Sequence, residues 1–253
     1  MDDLIGKRIL VTGASTGIGA AVARGFAAAG AQVGVHYNSS RDEAEAVVAA
    51  IAASGGRAQL FHADVRDATA TRDLIARAHA GLGGLDVLVN NAGHVIRRTP
   101  LDELDEALFD ELVALNIRSV FLATQVAARL FVAQGHGNII NTSSISARSG
   151  GGPGVALYAG TKGFVSSFTR NVARELAPKN VRVNAVSPGV IETPLHDRLT
   201  PRAVMESMRQ AIPMARIGVP DECVGAYLYF ASDKLSGYVT GQVLEVNGGQ
   251  LMA

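Results

Sequence analysis

Short runs of β-branched and aliphatic residues alternate along this chain with longer alanine-rich runs whose apolar positions recur at helical spacing. The apolar runs predict strands at residues 7–12, 32–37, 58–63, 87–90, 138–141, 181–186 and 243–246. Helices are expected between them, starting near Gly17, Ser40, Asp67, Asp102, Val155 and Asp221. Ser40 and Glu43 have the spacing of a capping box, Gly30 stops the first helix, and Gly55-Gly56 stops the second. Strands that read as continuous apolar runs, each followed by a helix, imply a parallel sheet covered on both faces. No linker, low-complexity stretch or short repeat interrupts the pattern. One α/β domain over residues 1–253 is therefore expected, a doubly wound sheet of about seven parallel strands.

Composition narrows the function classes. Apolar residues make up 48% of the 253 and charged residues 18%, which suits a large buried core. Lys plus Arg (23) equals Asp plus Glu (23), so no net field draws the chain to nucleic acid or an anionic membrane. The lone Cys223 cannot form an internal disulfide, and no Cys/His cluster has metal-ligand spacing, so no metal is expected. Neither a signal-peptide pattern nor an apolar run of about 18 residues occurs, and the expectation is a soluble, cytoplasmic protein.

The first strand runs into Thr12-Gly13-Ala14-Ser15-Thr16-Gly17-Ile18-Gly19, and a helix follows. Glycines here permit a tight turn and close backbone approach to a pyrophosphate, whose charge the helix N-terminus favours. Strand before and helix after give the motif the context of a Rossmann-type dinucleotide site. The second strand ends in His36-Tyr37-Asn38-Ser39-Ser40-Arg41, without the carboxylate that would bind a ribose 2′-hydroxyl. A 2′-phosphate can sit against Asn38, Ser39, Ser40 and the Arg41 guanidinium, so NADP(H) is expected over NAD(H). The same residues also serve to turn the chain and cap a helix.

Tyr158 and Lys162 are one helical turn apart and share a face of the helix that runs to about Ala177. Hydride transfer to a carbonyl needs a proton donor at the oxygen, and an unperturbed phenol titrates at about 10. A nearby ammonium is expected to bring that value down. Asn141-Thr142-Ser143-Ser144 ends a strand just before this helix, where doubly wound sheets bind ligands. A hydroxyl there can steady a developing oxyanion. Asp64-Val65, Asn90-Asn91-Ala92-Gly93 and Ser187-Pro188-Gly189 end other strands on that edge.

Together these motifs resemble the short-chain dehydrogenases/reductases over nearly the whole chain: the glycine loop at 12–19, Asp64, Asn-Asn-Ala-Gly at 90–93, Asn116, Ser144, Tyr-x-x-x-Lys at 158–162 and Pro-Gly at 188–189. The resemblance implies a tetrad of Asn116, Ser144, Tyr158 and Lys162. Tyr158 would be the general acid/base and Ser144 would place the substrate oxygen. Lys162 would lower the Tyr158 pKa and bind the nicotinamide ribose, while Asn116 would hold a water in a proton relay. The resemblance further implies cofactor contacts from Gly13, Ser15, Thr16, Gly17, Ile18 and Gly19. Others would come from Tyr37, Asp64 and Val65 on the adenine side, from Asn90, Ala92 and Gly93, and from Pro188, Gly189, Ile191 and Thr193 beside the nicotinamide. Of Asn116 the residues alone say only that it is a mid-helix amide.

Three departures stand out. Thr16 occupies a place where NADP-preferring members often carry a basic residue. Ser144 lies 14 residues before Tyr158, one more than the commonest spacing, so residues 149–154 absorb an insertion and Ser143 or Ser146 remains an alternative serine. Gly160-Thr161 replaces the more usual Ala-Ser.

A substrate lid is expected at about 190–215, with His196 and Arg198 read as solvated surface. His94, Arg97 and Arg98 flank the mouth, where exposed charge is the simpler reading and attraction of an acidic substrate the other. Cys223 is expected to be buried and inert, with Tyr227, Tyr229 and Phe230 in the core or at a subunit contact. The overall likeness is strongest to 3-oxoacyl-(acyl-carrier-protein) reductases and glucose dehydrogenases, which makes a small-molecule carbonyl or alcohol the substrate and an acyl-carrier protein a possible partner. A sugar or polyol dehydrogenase is the near alternative, a non-catalytic cofactor-binding regulator the remote one. A homotetramer or homodimer using residues 103–134 and 155–177 is expected.

Overall fold

The computed structural model describes residues 2–193 and 202–252. Its strands are β1 (Arg8–Val11), β2 (Gln32–Tyr37), β3 (Arg57–His62), β4 (Val87–Asn90), β5 (Gly137–Thr142), β6 (Val181–Pro188) and β7 (Val243–Val246). They form one parallel sheet in the order β3-β2-β1-β4-β5-β6-β7, each strand within two residues of its expected place. β6 runs past residue 186 because Ser187 and Pro188 continue the ladder opposite Glu245 and Val246.

The helices are α1 (Gly17–Ala28), α2 (Arg41–Ala53), α3 (Ala68–Gly81), α4 (Glu106–Val113), α5 (Ser119–Gln134), α6 (Ser146–Ser149), α7 (Ala156–Leu176), α8 (Arg202–Gln210), α9 (Pro220–Ala231) and α10 (Asp233–Ser236). On one face of the sheet α1, α2 and α9 bury Val22, Phe26, Val47, Ile51, Tyr227 and Phe230. On the other, α3, α5 and α7 bury Leu74, Ile75, Ala127, Phe131, Ala173 and Leu176. Central strands covered on both sides explain why they read as unbroken apolar runs. Cys223 lies in the first of these cores, and burial pushes its thiol up to about 12, so it is inert.

One cap and one helix start differ from expectation. Ser40 does precede α2, but its side chain makes no capping hydrogen bond. The helix expected near Asp102 begins at Glu106, because the Asp105 carboxylate accepts from the Leu108 amide at 2.7 Å and caps it there. Residues Leu101–Glu103 form a separate 3-10 turn.

Reading order reverses between β1 and β4, so their carboxyl ends open a crevice. At that crevice the Thr12 hydroxyl accepts from the Asn91 and Ala92 amides, and the Asn91 side chain donates to the Thr12 and Gly13 carbonyls. The two strand ends are thus locked edge to edge.

Candidate active site

Every strand-end motif named above lies at this carboxyl edge. Gly13 has φ +63°, a conformation that favours glycine, and a Cβ there would stand 2.9 Å from the Ala92 Cα. Ser15 and Thr16 follow, and Gly17, Ile18 and Gly19 form the first turn of α1. Among the described residues no side chain caps that turn, and no acid lies in it. Thr193 packs against Gly17, which brings the segment after β6 to the phosphate loop. Ile191 is buried and pairs with Gly218, Pro188 accepts from the Ile145 amide at 2.9 Å, and Gly189 donates to Val246.

The adenine-side residues are more committed than their sequence suggests. Asp64 is clasped by Arg66, with Nη2 at 2.7 Å from its Oδ2, and the guanidinium holds its carboxyl below the usual range. Arg41 is exposed and donates to Glu45 at 2.7 Å. Tyr37 is nearly buried at the end of β2, its ring 5.2 Å from that of His62, while Asn38 and Ser39 form the exposed bend after it. Val65 is in the core. The Asn90 side chain points into a buried chain, donating to Thr124 and Asn141, and Asn141 donates on to Thr169.

The four residues of the implied tetrad come from three places: the π turn after α4, the segment after β5, and α7, which carries both Tyr158 and Lys162. Between α4 and α5 the helix widens into a π turn at Ala114–Arg118, and the widening presents Asn116 inward. Its amide is fully buried; Oδ1 accepts from the His94 amide and Nδ2 donates to the His94 carbonyl, both at 3.0 Å. Gly93 gives Asn116 its room, because a Cβ there would meet its Oδ1 at 2.8 Å and the Lys162 Nζ at 3.1 Å.

Lys162 is buried, and its Nζ donates to the Thr142 carbonyl at 2.8 Å and lies 5.7 Å from the centre of the Tyr158 ring. Tyr158 is half-buried in the first turn of α7 and shares a hydrogen bond with the Ser144 side chain. The choice among serines follows from their contacts. The Ser143 hydroxyl faces away, donating to the Lys162 carbonyl and pairing with Ser166 at 2.7 Å. Ser146 is reached only through its amide, which donates to Ser144 Oγ.

Burial depresses the Lys162 ammonium to about 8, and among the described residues no carboxylate offsets it. The Tyr158 phenol moves the other way from the expected descent: burial pushes it up to about 12, with the Ser144 hydrogen bond pulling down. The physical reason is that burial of the phenol outweighs the Ser144 hydrogen bond, while the Lys162 Nζ sits over the ring and donates one hydrogen bond to the Thr142 carbonyl.

Three supports escaped sequence reasoning: Thr12, Asn91 and His36. The first two stood inside quoted motifs, and a threonine ending a strand beside a doubled asparagine is the signal. His36 lies unmarked inside a strand and carried none. At the mouth, Arg97 is exposed and paired with Asp105 at 2.6 Å, whereas Arg98 is half-buried and donates to the Pro153 carbonyl. His196 and Arg198 lie outside the described residues. Among the described residues no His/Cys/Asp/Glu group could hold a metal ion, and no helix is long and apolar enough to cross a membrane.

A family profile described as enoyl-(acyl carrier protein) reductase matches residues 13–250. The chain belongs to the short-chain dehydrogenase/reductase family, and it is an oxidoreductase of that family with its seven-stranded parallel sheet. It is 40% identical over 252 residues to a 3-oxoacyl-[acyl-carrier-protein] reductase of Synechocystis sp., with all of both chains covered. The corresponding reductase of Staphylococcus aureus is 40% identical over 246 residues, 97% of this chain and 98% of that protein. Among solved structures, a short-chain dehydrogenase of Burkholderia cenocepacia in complex with NADP superposes with a TM-score of 0.91 at 36% identity, covering 98% of this chain and 99% of that one. An NADH-dependent reductase responsible for alginate metabolism reaches 0.91 at 36% identity over the whole of both chains.

Proposed function

We propose that this protein is an NADPH-linked reductase of ketones, with 3-oxoacyl thioesters as its substrate class. The observation that carries the reading is the pair of hydroxyls, Ser144 on Tyr158, at the carboxyl edge with the Lys162 ammonium beneath them. Two hydroxyls converging on one point suit an oxygen, which a carbonyl offers and a carbon–carbon double bond does not. Full-length 40% identity to a 3-oxoacyl-[acyl-carrier-protein] reductase supports the acyl thioester, and that relation makes an acyl-carrier protein the fitting donor.

The nicotinamide, when bound, supplies the hydride. Gly13 to Gly19 fit its pyrophosphate: the turn is open at the helix end, and a Cβ at Gly19 would strike the Gly13 carbonyl at 2.1 Å. Asp64 and Val65 would flank the adenine, Asn90 would offer its main chain to a ribose, and Ile191 and Thr193 would line the nicotinamide side. During reduction Ser144 donates to the substrate oxygen and Tyr158 gives it the proton. Lys162 steadies the phenolate left behind and binds the ribose. Asn116 is held in place through its side chain by His94, and it would hold the relay water. The lid expected at about 190–215 falls partly on residues 194–201, which lie outside the described residues, and the active form is a homotetramer or homodimer in the cytoplasm.

NADP(H) is favoured over NAD(H) because no carboxylate ends β2 and Arg41 stands at the start of α2. Arg41 must exchange Glu45 for the 2′-phosphate, a charge-assisted pair of similar kind. Kinetics with an acetoacetyl thioester and small ketones, each with NADPH and NADH, and with a polyol and NADP+ or NAD+, test the reading. The expected result is the highest kcat/KM for the thioester with NADPH. A polyol oxidised faster with NAD would replace it with the sugar dehydrogenase reading, and a chain inert to the whole panel would favour a cofactor-binding regulator.

A further inference from the structure

His36, the fifth residue of β2, is buried to 1% exposure and bonded at both ring nitrogens. The Gly13 amide lies 2.9 Å from Nδ1, and the Ala63 carbonyl lies 3.1 Å from Nε2. An amide only donates and a carbonyl only accepts, so the partners select one tautomer, a neutral ring that accepts at Nδ1 and donates at Nε2. Burial keeps it neutral by depressing the imidazole to about 4. The main chain adds a third tie, since the Ala14 amide donates to the His36 carbonyl at 2.8 Å.

These bonds join two parts of the dinucleotide site. Gly13 is the left-handed residue that opens the phosphate loop; His36 holds its amide and Asn91 holds its carbonyl at 3.0 Å. Ala63 directly precedes Asp64, on the side expected to take the adenine. The ring is buried and both its nitrogens are bonded to main chain, so it exchanges no proton in catalysis.

We propose that His36 is a positioning residue for the cofactor, a rigid strut that fixes the phosphate loop relative to the carboxyl end of β3. The proposal rests on the dinucleotide-binding reading above. Its effect belongs to cofactor affinity, because both anchored segments contact the dinucleotide and neither carries Ser144, Tyr158 or Lys162.

Single substitutions separate the two bonds. Asn places an oxygen near Nδ1 and keeps the acceptor for Gly13, whereas Gln places an amide near Nε2 and keeps the donor to Ala63. Fluorescence titration with NADPH and NADH, steady-state kinetics and thermal unfolding of wild type, His36→Asn, His36→Gln and His36→Leu test the strut. His36→Leu is expected to weaken NADPH binding about tenfold, the size of one buried hydrogen bond, with kcat at saturating cofactor within about twofold of wild type. His36→Asn should recover most of that affinity and His36→Gln less. Asn and Gln variants with equal affinity and altered melting alone would overturn the proposal, as would kcat falling in step with affinity. A wild type that binds neither nucleotide would overturn the dinucleotide reading itself.

Discussion

Lys162 keeps its ammonium in a buried site where, among the described residues, no carboxylate pairs with it. Its folded value of about 8 lies below the unfolded one of about 10.4, so between the two the unfolded chain binds more protons. Stability contributed by this group therefore rises with pH through that window, and the cost of charging it is fully present below about 8. Lys162→Met is expected to stabilise the fold at pH 7 and raise the melting temperature, by the cost of burying the charge less the lost bond to Thr142, while abolishing turnover. Thermal scans from pH 7 to pH 10 should show that advantage shrinking; a constant difference would contradict it. The same titration sets a limb in activity. With Tyr158 protonated up to about 12, kcat/KM for ketone reduction should fall as pH rises through about 8, and Lys162→Arg should move that fall upward. Gly93→Ala tests the packing beside it: a methyl group 2.8 Å from Asn116 Oδ1 and 3.1 Å from Lys162 Nζ is expected to cut kcat at least tenfold.

Elements decide how much of this was legible in the chain. The seven strands were readable because burial on both faces leaves apolar runs that need no partner to recognise. Tyr158 and Lys162 were readable because a four-residue spacing on a helix fixes a shared face. Ser144 was chosen over Ser143 by the resemblance alone, since the insertion at residues 149–154 blurs the spacing that would separate them. The π turn at Asn116 was invisible for a related reason: it depends on how α4 and α5 pack, not on a residue pattern. His36 was missed because a histidine inside a strand carries no periodic signature. The helix start near Asp102 failed because two acids three apart compete as caps, and tertiary contacts chose Asp105. Asp105→Ala should remove that cap and its pair with Arg97, lowering stability by about 1 kcal/mol in denaturant titration with kcat nearly unchanged.

At the scale of the molecule the two edges of the sheet have divided tasks. The amino edge is tied by ion pairs, Arg8 to Asp86 and both Lys7 and Arg182 to Asp233, while the carboxyl edge keeps the chemistry. Exposed Phe109 on α4 and Phe121 on α5, with Phe121 edge-on to Phe168 of α7, give the outer face of those helices an apolar character suited to a second copy. Light scattering should show a dimer or tetramer for the wild type and a shift to smaller species for Phe121→Glu. A monomeric wild type would refute that arrangement. The central claim, that Tyr158 delivers the proton while the cofactor delivers the hydride, is tested most directly by measuring kcat/KM and NADPH affinity of Tyr158→Phe. Ketone reduction should fall by about 100-fold or more, with NADPH affinity within a fewfold of wild type. A variant that still reduces the ketone at near wild-type rate would contradict it.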